Sequence, residues 1–192
     1  MLMSEHPRRP DVDEVEFVGG QEKRELHVVD YDPHWAHIFL VHQQRIQTAL
    51  AAVPVDIHHI GSTSVPGLPA KPIVDIAIAV DDITAEEDYL TPLLAAGYLL
   101  RVREPAHRLV RTPERDVHVH ILEKGDPAIT RYLVFRDRLR SDADDRALYA
   151  ETKKALIRQG FDDMNAYSDA KTDVIAAIMA RAVAAAPRYP AR

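Results

Sequence analysis

The stretch HHIGSTSVPGLPAKPIVDIAIAV, residues 58–80, constrains this chain more than any other. An apolar strand runs into Gly61-Ser62, and a loop punctuated by Pro66, Pro69 and Pro72 follows. A second strand then carries one acid, Asp75, in an otherwise apolar run. Proline fixes φ and removes an amide donor, so the segment reads as a rigid structural loop between strands at about 55–60 and 73–80. The Pro-x-x-Pro-x-x-Pro spacing also fits a polyproline ligand, but a position between two buried strands favours the structural loop. Gly61, Ser62, Thr63 and Ser64 bring backbone amides and hydroxyls to a strand end, the chemistry that cradles phosphate. A Walker loop is excluded: Gly61 and Gly67 enclose five residues, and Leu68 stands where lysine is needed. Lys71 is the loop's only cation, either an anion ligand or a solvated side chain.

Around this loop the chain alternates helix and strand signals. Asp32-Pro33 opens a helix whose stripe is Trp35, Ile38, Phe39, His42, Ile46, Ala49 and Leu50. Residues 84–96 read as a helix ended by Gly97, and 98–123 as strand-rich. Three helical segments, 126–140, 142–160 and 162–186, close the chain, with acids near their starts. This order predicts an α/β (α+β) architecture, a sheet with helices packed on one face and a C-terminal helical segment. One domain over residues 24–186 is expected, preceded by a flexible arm, 1–23, and followed by a tail, 187–192. A strand is expected to begin near Leu26, Val28 and Val29.

Strand parity separates two faces. Val74, Ile76, Ile78 and Val80 point one way, and Ile73, Asp75, Ala77 and Ala79 the other. In DVHVHI, Val117, Val119 and Ile121 oppose Asp116, His118 and His120. If both strands join one sheet, the apolar faces take the helices. The other faces then line a groove holding Asp75, His118 and His120, with alanines leaving space. Asp75 alone could be a structural acid satisfied by nearby amides, and His-x-His could be a solvated sheet face. Two histidines and a carboxylate could instead chelate manganese, iron or zinc.

Composition narrows the classes. The 192 residues carry 30 acids against 24 bases, a net charge of −6, so no chain-wide basic footprint for nucleic acid exists. Nucleic acid is therefore not an expected partner. Cysteine is absent, which excludes disulfides and thiolate zinc sites. No apolar run reaches the ~20 residues of a membrane span, so a cytoplasmic protein with no membrane partner is expected.

The segments YDPHW, HHIGSTSVPGLPAKPIVDI, AGY, HVHI, FRDRLR and the pair Tyr167 and Lys171 occur in the order expected of the GrpB family. The chain resembles that family from about residue 26 to residue 182. The resemblance implies a nucleotidyltransferase-like fold with a mixed sheet, helices packed on one face and a C-terminal helical segment, related to the core of polymerase-β-type enzymes. It further implies a nucleotide or phosphorylated small molecule as ligand and a possible nucleotidyl transfer to a small acceptor. Enzymes of that superfamily carry Gly-Ser or Gly-Gly after a strand and two alternate acids on the next. Gly61-Ser62 and Asp75 match, but Ala77 stands at the second acid, and His118 or His120 at the third. Two-metal transfer needs carboxylates on both ions, whereas one Asp with substrate phosphates can hold one Mg²⁺. Mn²⁺ or Zn²⁺ on Asp75, His118 and His120 is the alternative, as in a metal-dependent hydrolase. A third option is a binding module that has lost the acids.

On FRDRLR, Arg136 and Arg140 share a helix face, as Tyr167 and Lys171 do later. Arginine forks onto phosphate, so these four residues are expected to close the ligand pocket opposite Gly61, Ser62, Thr63 and Lys71. Ion pairs with Asp137, Asp142 or Asp145 are the competing assignment.

Overall fold

Two apolar strands, Val74–Val80 (β3) and Val117–Glu123 (β6), lie parallel at the heart of the sheet, with Asp75 opposite His118 and Ala77 opposite His120. The computed structural model describes residues 9–20, 27–159 and 169–185. Within them, Glu16–Phe17 (β1), Asp56–Ile60 (β2), Leu99–Glu104 (β4) and His107–Arg111 (β5) complete a six-stranded mixed sheet of order β1-β4-β5-β6-β3-β2. All pairings other than β3–β6 are antiparallel. The helices are His34–Ala49 (α1), Glu86–Ala95 (α2), Pro127–Ser141 (α3), Ala143–Gln159 (α4) and Thr172–Ala185 (α5). Ser62–Ser64 forms a short 3₁₀ turn.

Local chemistry explains the helix starts. Asp32 accepts a hydrogen bond from the His34 amide at 2.9 Å, and Asp126 accepts from Ala128 at 2.7 Å with Pro127 opening the helix. Glu86, Glu87 and Asp88 place negative charge in the first turn of α2.

The expected greasy face is the core. Val74, Ile76, Ile78 and Val80 join Val117, Val119 and Ile121 under Trp35, Ile46 and Leu50 of the α1 region and Tyr89, Leu90 and Leu93 of α2. A second cluster joins the proline loop to the last helices: Val65 and Leu68 pack with Leu139, Tyr149, Ala150 and Ile178. The loop is therefore braced from behind by the C-terminal helices. Val29 and Ala70 also exchange both backbone hydrogen bonds, each at 2.9 Å. Of the strand expected from Leu26, Leu26 lies outside the described residues and Val29 makes this bridge.

The arm expected over 1–23 is ordered in its described part, residues 9–20. β1 pairs with β4, and Asp11 binds the guanidinium of Arg108 at 2.8 Å. Arg108 is fully buried and also reaches Glu86 at 2.7 Å, which Arg103 holds at 2.8 Å. A buried cation needs those carboxylates, so charge pairing rather than hydrophobicity docks this segment. Residues 1–8 and 21–26, and the expected tail, lie outside the described residues. No helix among the described residues is long and apolar enough to cross a membrane.

Ile76, with no exposed surface, sits at the centre of this core. Ile76→Ala is expected to cost about 2–5 kcal/mol. Its melting temperature should fall by about 2–4 °C per kcal/mol, read by thermal denaturation.

Candidate functional site

The Gly-Ser turn and Asp75 are in direct contact. Gly61 has φ 69° and ψ −176°, a conformation essentially reserved for glycine. A Cβ built there would lie 2.6 Å from Asp75 Oδ2. Glycine is thus required twice, by its dihedrals and by the carboxylate filling its side-chain space.

Asp75 is half-buried, with Oδ1 3.8 Å from His118 Nδ1 and 3.6 Å from His120 Nε2. Burial pushes its carboxyl up, but the neighbouring His120, His118 and Lys71 more than offset this and hold it below the usual carboxylate range. Asp75 is therefore ionised at neutral pH. His120 Nδ1 meets His107 Nε2 at 3.1 Å, and the other nitrogen of His107 is hydrogen-bonded to Glu104. Tyr132 of α3 lies over this group, its ring 6.2 Å from that of His120. The sequence reading missed Glu104 and His107, because nothing local shows that β4 and β5 extend the same polar face.

A cavity of about 180 Å³ opens beside the carboxylate, lined by Ser62, Thr63, Lys71, Ile73, Asp75, His118, Lys153 and Lys171. The structure thus brings together Gly61, Ser62, Thr63, Lys71, Asp75, His118, His120 and Lys171 from the expected set. Tyr167 lies outside the described residues.

Arg136 and Arg140 have a different role from the expected one. Arg136 donates to the His59 carbonyl at 3.1 Å and pairs with Asp137 at 2.7 Å. Arg140 donates to the Ser64 carbonyl from Nε and Nη2, at 2.9 and 2.7 Å. Both guanidinium groups clamp the backbone on either side of the Gly-Ser turn, and neither lines the cavity. Their helix face was legible, but its target was not, since free carbonyls at the end of an edge strand attract arginine as phosphate does.

Lys153 is the second residue the sequence reading missed. It is 3% exposed, donates to Ser62 Oγ at 3.1 Å, and is hydrogen-bonded to the Pro69 carbonyl. Its Nζ sits 4.8 Å from the centre of the Tyr149 ring. Burial and the nearby Lys171 push its ammonium down to about 7. Lys171 is also pushed down by burial, with Asp75 acting in the opposite sense. A signal was present: Lys153 follows Tyr149 and Ala150 at helical spacing on the stripe that α4 buries.

His59 completes the support. It is buried, stacks on Phe39 at 4.8 Å, and shares a 3.1 Å hydrogen bond with Thr63 Oγ1. Burial, then Arg140, pushes it down to about 4. As for a metal, no group of three or more His, Asp or Glu side chains among the described residues is arranged to hold an ion. That leaves an all-protein His-His-Asp centre without geometric support.

The fold is nucleotidyltransferase-like. It is shared at TM-score 0.53 and 18% identity with a chain of the GLD-2/RNP-8 complex, over 71% of this chain and 48% of that one. The chain belongs to the GrpB family: the GrpB protein profile matches residues 25–181. A UPF0157 protein of Streptomyces coelicolor is 64% identical over 96% of this chain and 99% of its own length. The crystal structure of the conserved protein GrpB from Enterococcus faecalis superposes with TM-score 0.72 at 30% identity, over 82% of this chain and 98% of that one.

Gly61→Ala is expected to destabilise the protein by roughly 1–3 kcal/mol from the dihedrals alone. It should also displace the Asp75 carboxylate, seen as a lowered melting temperature and a shifted Asp75 resonance. For His59, the folded pKa lies below the unfolded value, so its contribution is complete above about 6.5 and is lost as the pH falls towards about 4. Melting temperatures of wild type and His59→Phe should therefore converge across that window.

Proposed function

We propose that the protein binds a nucleotide or another phosphorylated small molecule in the cavity beside Asp75 and passes a nucleotidyl group from it to a small acceptor. The observation that carries this reading is the meeting of Lys71, Lys153 and Lys171 with the Gly-Ser turn around one carboxylate, in a space of about 180 Å³. Ser62, Thr63 and the lysines supply hydroxyl and ammonium donors for phosphate oxygens. Arg136 and Arg140 keep the turn in place by holding the carbonyls on either side of it.

In such a transfer, an acceptor oxygen attacks the α-phosphorus, the P–O bond to the leaving phosphates breaks, and pyrophosphate departs. His118 and His120, which face Asp75 from the neighbouring strand, would take the acceptor's proton. Asp75 would hold Mg²⁺ through one carboxylate, and the ion, when bound, would neutralise charge on the phosphates. The small Ala77, opposite His120, leaves no second carboxylate on β3 for a second ion.

That same alanine favours a second reading, a module that binds without transfer. The two are separated by a thermal-shift panel of nucleoside triphosphates and phosphorylated metabolites with and without Mg²⁺, followed by a pyrophosphate-release assay. Ligand at 100 times its Kd should stabilise the protein by about 2.7 kcal/mol. At about 2–4 °C per kcal/mol, that shift is readily measured. A shift with pyrophosphate release supports transfer, a shift without it supports the module, and no shift with any phosphate compound overturns both. Asp75→Asn is expected to abolish the Mg²⁺-dependent part of the shift and any turnover, with unchanged circular dichroism.

A further inference from the structure

Lys153 presents an electrostatic problem that the fold does not solve. Its described hydrogen-bond partners, Ser62 Oγ and the Pro69 carbonyl, are both neutral, and no carboxylate among the described residues pairs with it. Two other buried charges among the described residues are neutralised. Arg108 has Asp11 and Glu86, and the buried Asp145 has Arg138 at 2.6 Å and Arg181 at 2.5 Å. The exception lies on the wall of the cavity.

We infer that an anionic ligand enters this cavity together with a proton, which Lys153 takes up to become the ligand's counter-ion. This rests on the phosphate-binding reading above and adds to it a pH dependence and a preference for fully ionised anions. A buried ammonium without a countercharge is costly, so the empty cavity favours the neutral amine. A phosphate oxygen beside the nitrogen reverses that preference, because opposite charges at close range stabilise the protonated form.

The groups around Lys153 fit this direction. Tyr149 of its own helix contributes a ring face. The loop contributes the Ser62 hydroxyl, the Pro69 carbonyl and, further along, Lys71. Lys171, just ahead of α5, repels a second positive charge at Lys153. Asp75 of β3 and His118 of β6 line the same cavity, and Asp75 acts on Lys171, drawing that lysine towards its charged state. Of Lys153 and Lys171, Lys153 is therefore the one left to be protonated on binding. With its ammonium held at about 7, the empty site is mostly neutral there above pH 8.

Isothermal titration calorimetry on the full chain tests this with two probes, sulfate and ATP, in two buffers of different ionisation enthalpy at pH 8.5. Sulfate has no proton to exchange at this pH, and a phosphate monoester's second pKa is about 6, so any proton taken up goes to the protein. The expected result is uptake approaching one proton per anion, with Kd rising about tenfold per pH unit between pH 8 and 9. Lys153→Arg, whose guanidinium stays charged, should bind with little proton uptake and a nearly flat Kd. Lys153→Met should lose most of the affinity at every pH. An enthalpy independent of buffer with a flat wild-type Kd overturns the inference while leaving phosphate binding intact. Undiminished uptake in Lys153→Arg assigns the proton to another group and also overturns it. Proton-linked sulfate binding with no ATP binding supports the inference and sinks the nucleotide reading. Binding of neither probe from pH 6 to 9 overturns both.

Discussion

The close approach of Gly61 to Asp75 is the constraint on which the site depends. A carboxylate occupies the volume that any other residue at position 61 would need, at a distance no real Cβ tolerates. β2 and β3 are paired with Ile60 opposite Asp75, so the chain must leave β2 directly over the acid. Only a residue without a side chain and with φ of 69° makes that exit. The turn's hydroxyls and the carboxylate then face one cavity, and the parallel β3–β6 pairing sets His118 beside the acid.

Most of the surrounding structure holds that exit still. Arg136 and Arg140 of α3 hold the His59 and Ser64 carbonyls, and His59 holds Thr63. Lys153 of α4 reaches both Ser62 and the Pro69 carbonyl, while Val65 and Leu68 anchor the loop's apolar side. The arginine bonds put charged donors on backbone acceptors, stronger than neutral pairs, and they come from a helix far along the chain. The C-terminal helices thus build the back wall of the site as well as covering a core. Their contribution is geometric: they leave the donors of Ser62 and the three lysines converging on one small volume.

The sheet was largely legible because strand parity is a local property. The alternation in VDIAIAV and DVHVHI already assigned Ile76 and Val119 to the core and Asp75, His118 and His120 to the other face. The helical stripe of Trp35, His42, Ile46 and Leu50 was legible for the same reason. Docking of residues 9–20 was not, because it depends on Arg108 finding Asp11 and Glu86 from separate elements. The arginines of α3 were correctly placed on one face, and the ion pairing with Asp137 was one of the two assignments weighed, but the carbonyls they hold were not foreseen. Charge and periodicity say which way a guanidinium points relative to its own helix, and nothing about which carbonyl waits there.

The sequence by itself determined the two faces of the sheet, the glycine-serine turn and the solitary acid, since each follows from short-range periodicity or from what glycine and proline allow. The tertiary structure alone decided that Glu104 and His107 back His120, and that Arg136 and Arg140 hold the loop. It also decided that Lys153 lies buried at the cavity without a carboxylate among the described residues. The physical reason is that desolvation and charge pairing are set by groups brought together from separate elements, whose meeting no local pattern encodes.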